Sequence, residues 1–385
     1  MRMSPTLAEV VAAIEAAYPP RLAESWDAVG LVCGDPAEPV RKVLVCVDPV
    51  ESTVDEAIEI GAQLVLAHHP LLLRGVHGVP ADDAKGRLVH KLIRNGAGLL
   101  CAHTNADSAD PGVSDALAEA LGLRVTGPLD AKPADPVDAL SVVVPAGHTE
   151  ALLAALFAAG AAQLGDGYRE AAFLSEGTAQ FRPLATADPA AGARGELHRG
   201  PETKIETVLP RRRRAAVLAA LRAAHPYESP AYDLHELAEE PSGLGIGRIG
   251  ELAEPEPFGA FVQRVAVALP ETAWGVRAAG EPERLVRTVA VCGGAGDSLL
   301  GAATRAGVDA YVTADLRHHP AGEHLAQSGT PMLVDVAHWA SEWPWCAQAA
   351  DVIRRAFPGT VEAHVSTRRT DPWTLAASAT GRTTA

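Results

Sequence analysis

The segment LVLAHHP (64–70) ends an apolar run in two adjacent histidines, His68 and His69, and Pro70 closes the pair. HTNAD (103–107) offers His103, Asn105 and Asp107, and HWASE (338–342) offers His338 and Glu342. Three imidazoles and two carboxylates suit a pair of borderline divalent ions such as Zn²⁺, Fe²⁺ or Mn²⁺, with carboxylates bridging. Two ions held ~3.5–4 Å apart bind and activate one water between them. His338 and Glu342 are spaced i, i+4 and share a face if the segment is helical. Consecutive histidines point to opposite faces of a continuing strand. At a strand exit their rings can diverge around two centres, one histidine for each metal. Each motif has a plainer reading. A lone histidine at a strand end is usually a satisfied polar residue, HxxxE is common as a surface pair on helices, and HHP arises by chance in a chain with 14 histidines. Three such motifs at three expected strand ends favour the metal.

The positioning elements follow from periodicity. Strands are expected at 42–48, 63–67 and 97–102, alternating with helices at 52–62, 84–96 and 113–122. The rhythm returns with strands at 286–292, 309–313 and 331–336 and a long helix over 340–357. Such alternation implies parallel-type sheets covered on both faces, and ligands gather outside the carboxyl ends of such strands. LVLAHHP and YVTADLRHHP echo one another, which suggests a degenerate internal duplication. The segment 130–250 breaks the rhythm: its order, strand–helix–strand–strand–helix–strand, is that of an α+β ferredoxin-like domain. The expected organisation is one α/β domain in two halves, 1–129 and 251–373, around an insert at 130–250, with a disordered tail at 374–385. The first helix is expected to start at Ser4-Pro5.

Bulk properties narrow the partners. A net charge of −15 argues against a nucleic-acid binder and against docking on anionic membranes. Five cysteines without a C-x-x-C pair read as buried thiols of a reducing compartment. With no secretory leader and no membrane-spanning run, a cytoplasmic location is expected. Weaker candidates remain open. CGGAGDS (292–298) is a phosphate-holding turn or a plain glycine turn. Asp315, His318 and His319 are supporting or acid–base groups or structural ones. RRRR (211–214) is a solvated face or a contact for acidic partners, and HPYESPAYD (225–233) is a site in the insert or a packed turn.

Taken together, ESWDAVGLVCG, LVLAHHPLL, AHTNAD, CGGAGDS, YVTADLRHH and DVAHWASE resemble, in content and order, the Nif-three-like dinuclear metal proteins, also named GTP cyclohydrolase I type 2 homologues. The resemblance covers about residues 4 to 373 and includes the insert of the longer members. It implies two divalent ions per subunit held by His68, His69, Asp107, His338 and Glu342, with His103 beside them as the candidate for proton transfer. It implies a homohexameric ring. It also implies a metal-dependent hydrolase of a small nucleotide-like substrate; the family name suggests GTP, opened at C8 of the guanine ring. Two other functions fit the same ligands: a metal-binding ring that scaffolds or regulates partners without efficient turnover, and a phosphoester hydrolase. No P-loop or other triphosphate-reading motif is present. Ala28, Ala106, Ala337 and Ser229 depart from residues common in the family (Asn, Leu, Gly and Glu), and none of these changes removes a ligand.

Overall fold

A computed structural model describes residues 4–163, 167–239 and 241–377. Two compact units emerge: residues 1–132 together with 243–385, and residues 133–242. The tail expected from 374 has no regular element up to 377, and its remainder lies outside the described residues.

In the larger unit the first half runs α1 (Leu7–Ala17), β1 (Gly30–Cys33), β2 (Lys42–Cys46), α2 (Glu51–Glu59), β3 (Leu64–Ala67), α3 (Ala84–Arg94), β4 (Gly98–Cys101), α4 (Thr104–Ser108), α5 (Val113–Ala120) and β5 (Arg124–Pro133). The smaller unit holds β6 (Val137–Pro145), α6 (Thr149–Ala158), β7 (Ala172–Phe181), β8 (His198–Pro210), α7 (Arg214–Ala224) and β9 (Tyr232–Glu236). The second half comes next with β10 (Pro241–Pro257), α8 (Phe258–Ala268), β11 (Val276–Ala279), β12 (Leu285–Ala295), α9 (Leu300–Ala306), β13 (Ala310–Ala314), α10 (His318–Leu325), β14 (Met332–Val336), α11 (His338–Ala356) and β15 (Glu362–Val365).

The sheets of the larger unit are mixed, with parallel centres. One has the order β1-β4-β3-β2-β15, the other β11-β14-β13-β12-β10-β5. Strands β2, β3 and β4 pair in parallel and β1 is antiparallel to β4. Strands β12, β13 and β14 repeat this arrangement, with β11 antiparallel to β14. The antiparallel edges were not legible in the sequence because GLVC and VRAA are too short to carry an alternating pattern. The last strand of each half joins the sheet of the other half: β15 lies beside β2, and β5 lies beside β10 on the side away from β12.

Strand alternation distributes the two faces. Val43, Val45, Leu64 and Leu66 face one core shared with Val289, Val291, Val312 and Val334 of the other sheet and with α1, α5 and α11. Leu44, Val65 and Leu99 face the opposite way, towards α2 and α3. Ala290, Tyr311 and Leu333 pack with α9. Both sheets therefore bury one face on a common helical layer. The N-cap of α1 is Thr6, two residues beyond the Ser4 that the sequence suggested. Its hydroxyl accepts from the Glu9 amide at 3.3 Å while the Glu9 carboxylate accepts from the Thr6 amide at 2.7 Å, a capping box.

The smaller unit is a β-α-β-β-α-β chain with strand order β7-β8-β6-β9 and antiparallel pairing throughout. The arginine run is partly structural. Arg211 and Arg214 donate to the fully buried Asp138, at 3.1 Å and 2.8 Å. In the HPYES turn His225 donates to the Val143 carbonyl at 2.9 Å and the Tyr227 hydroxyl donates to Glu202 at 2.6 Å. All five cysteines are free. Among the described residues no helix is long and apolar enough to cross a membrane.

Arg248 on β10 is 1% exposed and ties the halves of the larger unit. It pairs with Asp115 of α5 at 2.8 Å and donates to the carbonyls of Ala109, Gly245 and Gly247. Removing the guanidinium strands a carboxylate and three carbonyls. Arg248→Leu is expected to cost about 3–5 kcal/mol, read as a lowered urea midpoint.

Candidate metal centre

The carboxyl ends of both parallel triplets meet at the start of α11. His68 and His69 come directly after β3, His103 lies just past β4, and His338 opens α11 shortly after β14. His68 is fully buried and Glu342 is 3% exposed. Each of the four imidazoles has its Nδ1 on an acceptor. Nδ1 of His68 meets the Ala102 carbonyl at 2.9 Å, that of His69 meets Asp48 at 2.7 Å, that of His103 meets Asp27 at 2.8 Å, and that of His338 meets Asp315 at 2.7 Å. An acceptor-only partner fixes the proton on Nδ1 and leaves the Nε2 lone pair as the coordinating site.

The Nε2 atoms of His68, His69 and His338 converge around Glu342. Its Oε1 lies 3.0 Å from His338 and 3.5 Å from His68, and its Oε2 lies 3.1 Å from His69. His68 Nε2 lies 3.7 Å from Asp107 Oδ1, and the Nε2 atoms of His69 and His338 face each other at 3.3 Å. With both Nδ1 atoms protonated, two lone pairs at that separation repel unless a proton or a cation lies between them. His68 Nε2 and Glu342 Oε2 are buried without a partner of hydrogen-bond geometry. Buried polar atoms left so demand an explanation, and a ligated cation supplies it. Two overlapping sets have their ligand atoms within 4.8 Å of one another: His68, His69 and His103, and His69, His338 and Glu342. The donor set fits one or more divalent ions.

When protons rather than a cation balance this carboxylate, the imidazoles hold them. Glu342 raises His338 to about 11 against the opposing effect of burial, and Asp315 adds to the rise. Burial pulls His69 down, but Glu342 and Asp48 outweigh it and leave it at about 10. Burial also works against protonated His68, and Glu342 and Asp107 overcome it. Burial raises Asp107 to about 6. For Glu342 the burial penalty is outweighed by His69, His338 and His68, which hold it well below the usual carboxylate range. Of the four imidazoles His103 alone is lowered, first by burial and then by His68.

Of the residues singled out in the sequence, the structure brings together His68, His69, His103, Asp107, His338 and Glu342. Asn105 turns away, donating to the Tyr18 carbonyl at 2.7 Å. Asp315 sits at the site with φ +55, a left-handed backbone that Asp tolerates better than most residues. It is the first residue after β13, as His68 is the first after β3. The HHP echo is therefore three residues out of step, and His318 and His319 lie exposed on α10. The CGGAG turn serves the site by its shape. Gly294 has φ +69, and a Cβ there would overlap the Glu342 carboxylate and sit 3.1 Å from His338 Nε2. Its amide donates to Ser341 Oγ at 2.8 Å, so that amide is committed within the fold. Sequence reasoning missed Asp48 and Asp27. Asp48 stands just past β2 at the same sheet edge and could have been found there; Asp27 lies in a loop without periodicity.

Residues 5–372 match the model of the family described as Duf34/NIF3 (NGG1p interacting factor 3). The chain belongs to the DUF34/NIF3 family. A Mycobacterium tuberculosis relative named GTP cyclohydrolase 1 type 2 homolog is 55% identical over 97% of this chain and 98% of its own. A Bacillus cereus protein related to NIF3 is 35% identical, with a TM-score of 0.76 over 97% of this chain and 100% of that one. A Staphylococcus aureus structure is 27% identical with a TM-score of 0.82, again over 97% and 100%. Within this DUF34/NIF3 chain the unusual alanines are accommodated. Ala337 caps α11 at φ −69, which asks for no glycine, Ala106 is fully buried, and the Ala28 amide donates to Asp27 at 2.7 Å.

Cations must displace the protons on His69 and His338 at neutral pH, since both lie well above 7. Metal uptake is therefore expected to release about one proton or more per ion and to tighten as pH rises from about 6 to about 8. Titration calorimetry with Mn²⁺ in buffers of different ionisation enthalpy checks both. Gly294→Ala is expected to lower metal content, measured by elemental analysis, with the far-UV circular dichroism kept.

Proposed function

We propose that this chain is a dinuclear metal-dependent hydrolase acting on a nucleotide-like substrate. The observation that carries the reading is the four imidazoles, each tied at Nδ1, of which His68, His69 and His338 present Nε2 to one buried glutamate. His68, His69, Asp107, His338 and Glu342 would hold two divalent ions, zinc, iron or manganese. Such ions supply Lewis acidity and lower the pKa of water.

The protein's own groups have separable tasks. Asp48 and Asp315 fix the ring orientation of His69 and His338. His103 stays neutral near pH 7 because burial and His68 hold it below the ordinary histidine value. Its Nδ1 is locked by Asp27, and Asp27 is itself held by Thr104, whose amide donates to it at 3.0 Å. The free Nε2 is thus a base ready to take a proton from the attacking water and return it to the leaving atom. The relatives' name makes GTP the first substrate to test. The same proposal includes a homohexameric ring in the cytoplasm and an insert of ferredoxin-like type, the last supported by the strand order of the smaller unit.

The metal-loaded protein is incubated with GTP and a panel of phosphoesters. Turnover is expected for the wild type and absent in His68→Ala and Glu342→Ala, both with reduced metal. His103→Ala is expected to retain metal and lose about 10²–10⁴-fold in kcat, with a changed pH profile. An intact, metal-loaded protein inert on every substrate sinks the enzyme reading in favour of a scaffold.

A further inference from the structure

A cavity of about 370 Å³ adjoins the metal centre, lined by His69 and His338 together with Trp274, Asp371 and Trp373. Two of its lining residues carry a polar atom without a partner. Asp371 is 7% exposed, and its Oδ2 is buried without a hydrogen-bond partner, as is the indole Nε1 of Trp274. A buried acceptor and a buried donor without partners, on residues that line one cavity, call for an explanation that a ligand's polar edge would supply.

The walls define the ligand's chemistry. Trp274 and Trp373 lie with centroids 6.1 Å apart, tilted by 34°. The Arg277 guanidinium covers Trp274 at 4.1 Å, while Trp373 is largely exposed. A flat ring has a stacking surface on Trp373. The described lining residues include Asp48, Asp315 and Asp371 but no lysine or arginine, so the wall away from the metal ligands favours a donor over a phosphate. The segment is also fastened to the metal centre: the Thr370 hydroxyl donates to Asp48, which accepts from His69 through its other oxygen.

We propose that this cavity is the ring-binding subsite of the centre, where Asp371 accepts an N–H of a planar, nucleobase-like heterocycle stacked on Trp373 and the phosphates point away towards solvent. This deepens the hydrolase reading and rests on it for the substrate's identity, but the subsite is tested by binding alone.

Guanosine, which has a base and no phosphate, is titrated into metal-loaded protein by calorimetry, with ribose 5-phosphate as the ring-less comparison. Guanosine is expected to bind and ribose 5-phosphate to give no signal at the same concentration. Asp371→Asn is expected to weaken guanosine on the order of tenfold, and Trp373→Ala by a similar factor, both with metal content unchanged. Trp373 is exposed, so its variant keeps the test alive if Asp371→Asn does not fold. Absence of guanosine binding, equal binding by the variants, or tighter binding of ribose 5-phosphate overturns the subsite. A lack of turnover beside intact guanosine binding overturns only the hydrolase reading.

Discussion

Glu342 is a carboxylate removed from water and surrounded by imidazole nitrogens. Taking one such charge into a protein costs several kcal/mol unless opposite charge is placed around it. The geometry around Glu342 answers that cost: three Nε2 atoms lie within 3.5 Å of its oxygens. None of these rings could be held so by packing alone. Asp48 and Asp315 grip His69 and His338, and the Ala102 carbonyl grips His68. Glu342 reaches the centre because α11 lies in the helical layer that both sheets cover, with its first turn at their carboxyl ends.

The repeated topology explains how one centre draws on both halves. The halves share the order of an antiparallel edge strand beside three parallel ones. A parallel strand delivers its next residue to the same edge of its sheet as its neighbours do, so both sheets present strand exits to one place. The halves then diverged in what they place there. After β3 comes His68, and after β13 comes Asp315, which orients His338. One half supplies most of the nitrogen, and the other supplies Glu342 and His338.

Much of this was legible in the chain because strand ends are local. Leu64–Ala67 is a continuous apolar run, so His68 and His69 are bound to emerge at the sheet edge. The helix carrying Glu342 is expected from its spacing at 340–357, and the structure opens it two residues earlier, at His338. The features hidden from the sequence depend on long-range pairing. Asp27 sits in an irregular loop and meets His103 across 76 positions of sequence. GLVC and VRAA are four-residue edges whose direction is set by the neighbour they find. The false echo of His318 and His319 has a related cause. Similarity of letters aligned HHP with HHP, whereas the structure aligns residues by their distance from the strand end.

Charge balance bears on how many ions such a centre takes. Five carboxylates, Asp27, Asp48, Asp107, Asp315 and Glu342, lie on or directly behind the imidazoles. Coordinating imidazoles are neutral and contribute nothing against them. One divalent ion would leave three negative charges in a half-buried cluster, while two ions reduce that to one, at a position where water or substrate can meet it. The chain's overall charge of −15 offers no general relief, and none of the described residues lining the adjoining cavity is a lysine or arginine. With the two ions proposed above, the second would be the economical neutraliser: His69, whose Nδ1 is held by Asp48, has one lone pair for one ion, and His68 with Asp107 would serve the other.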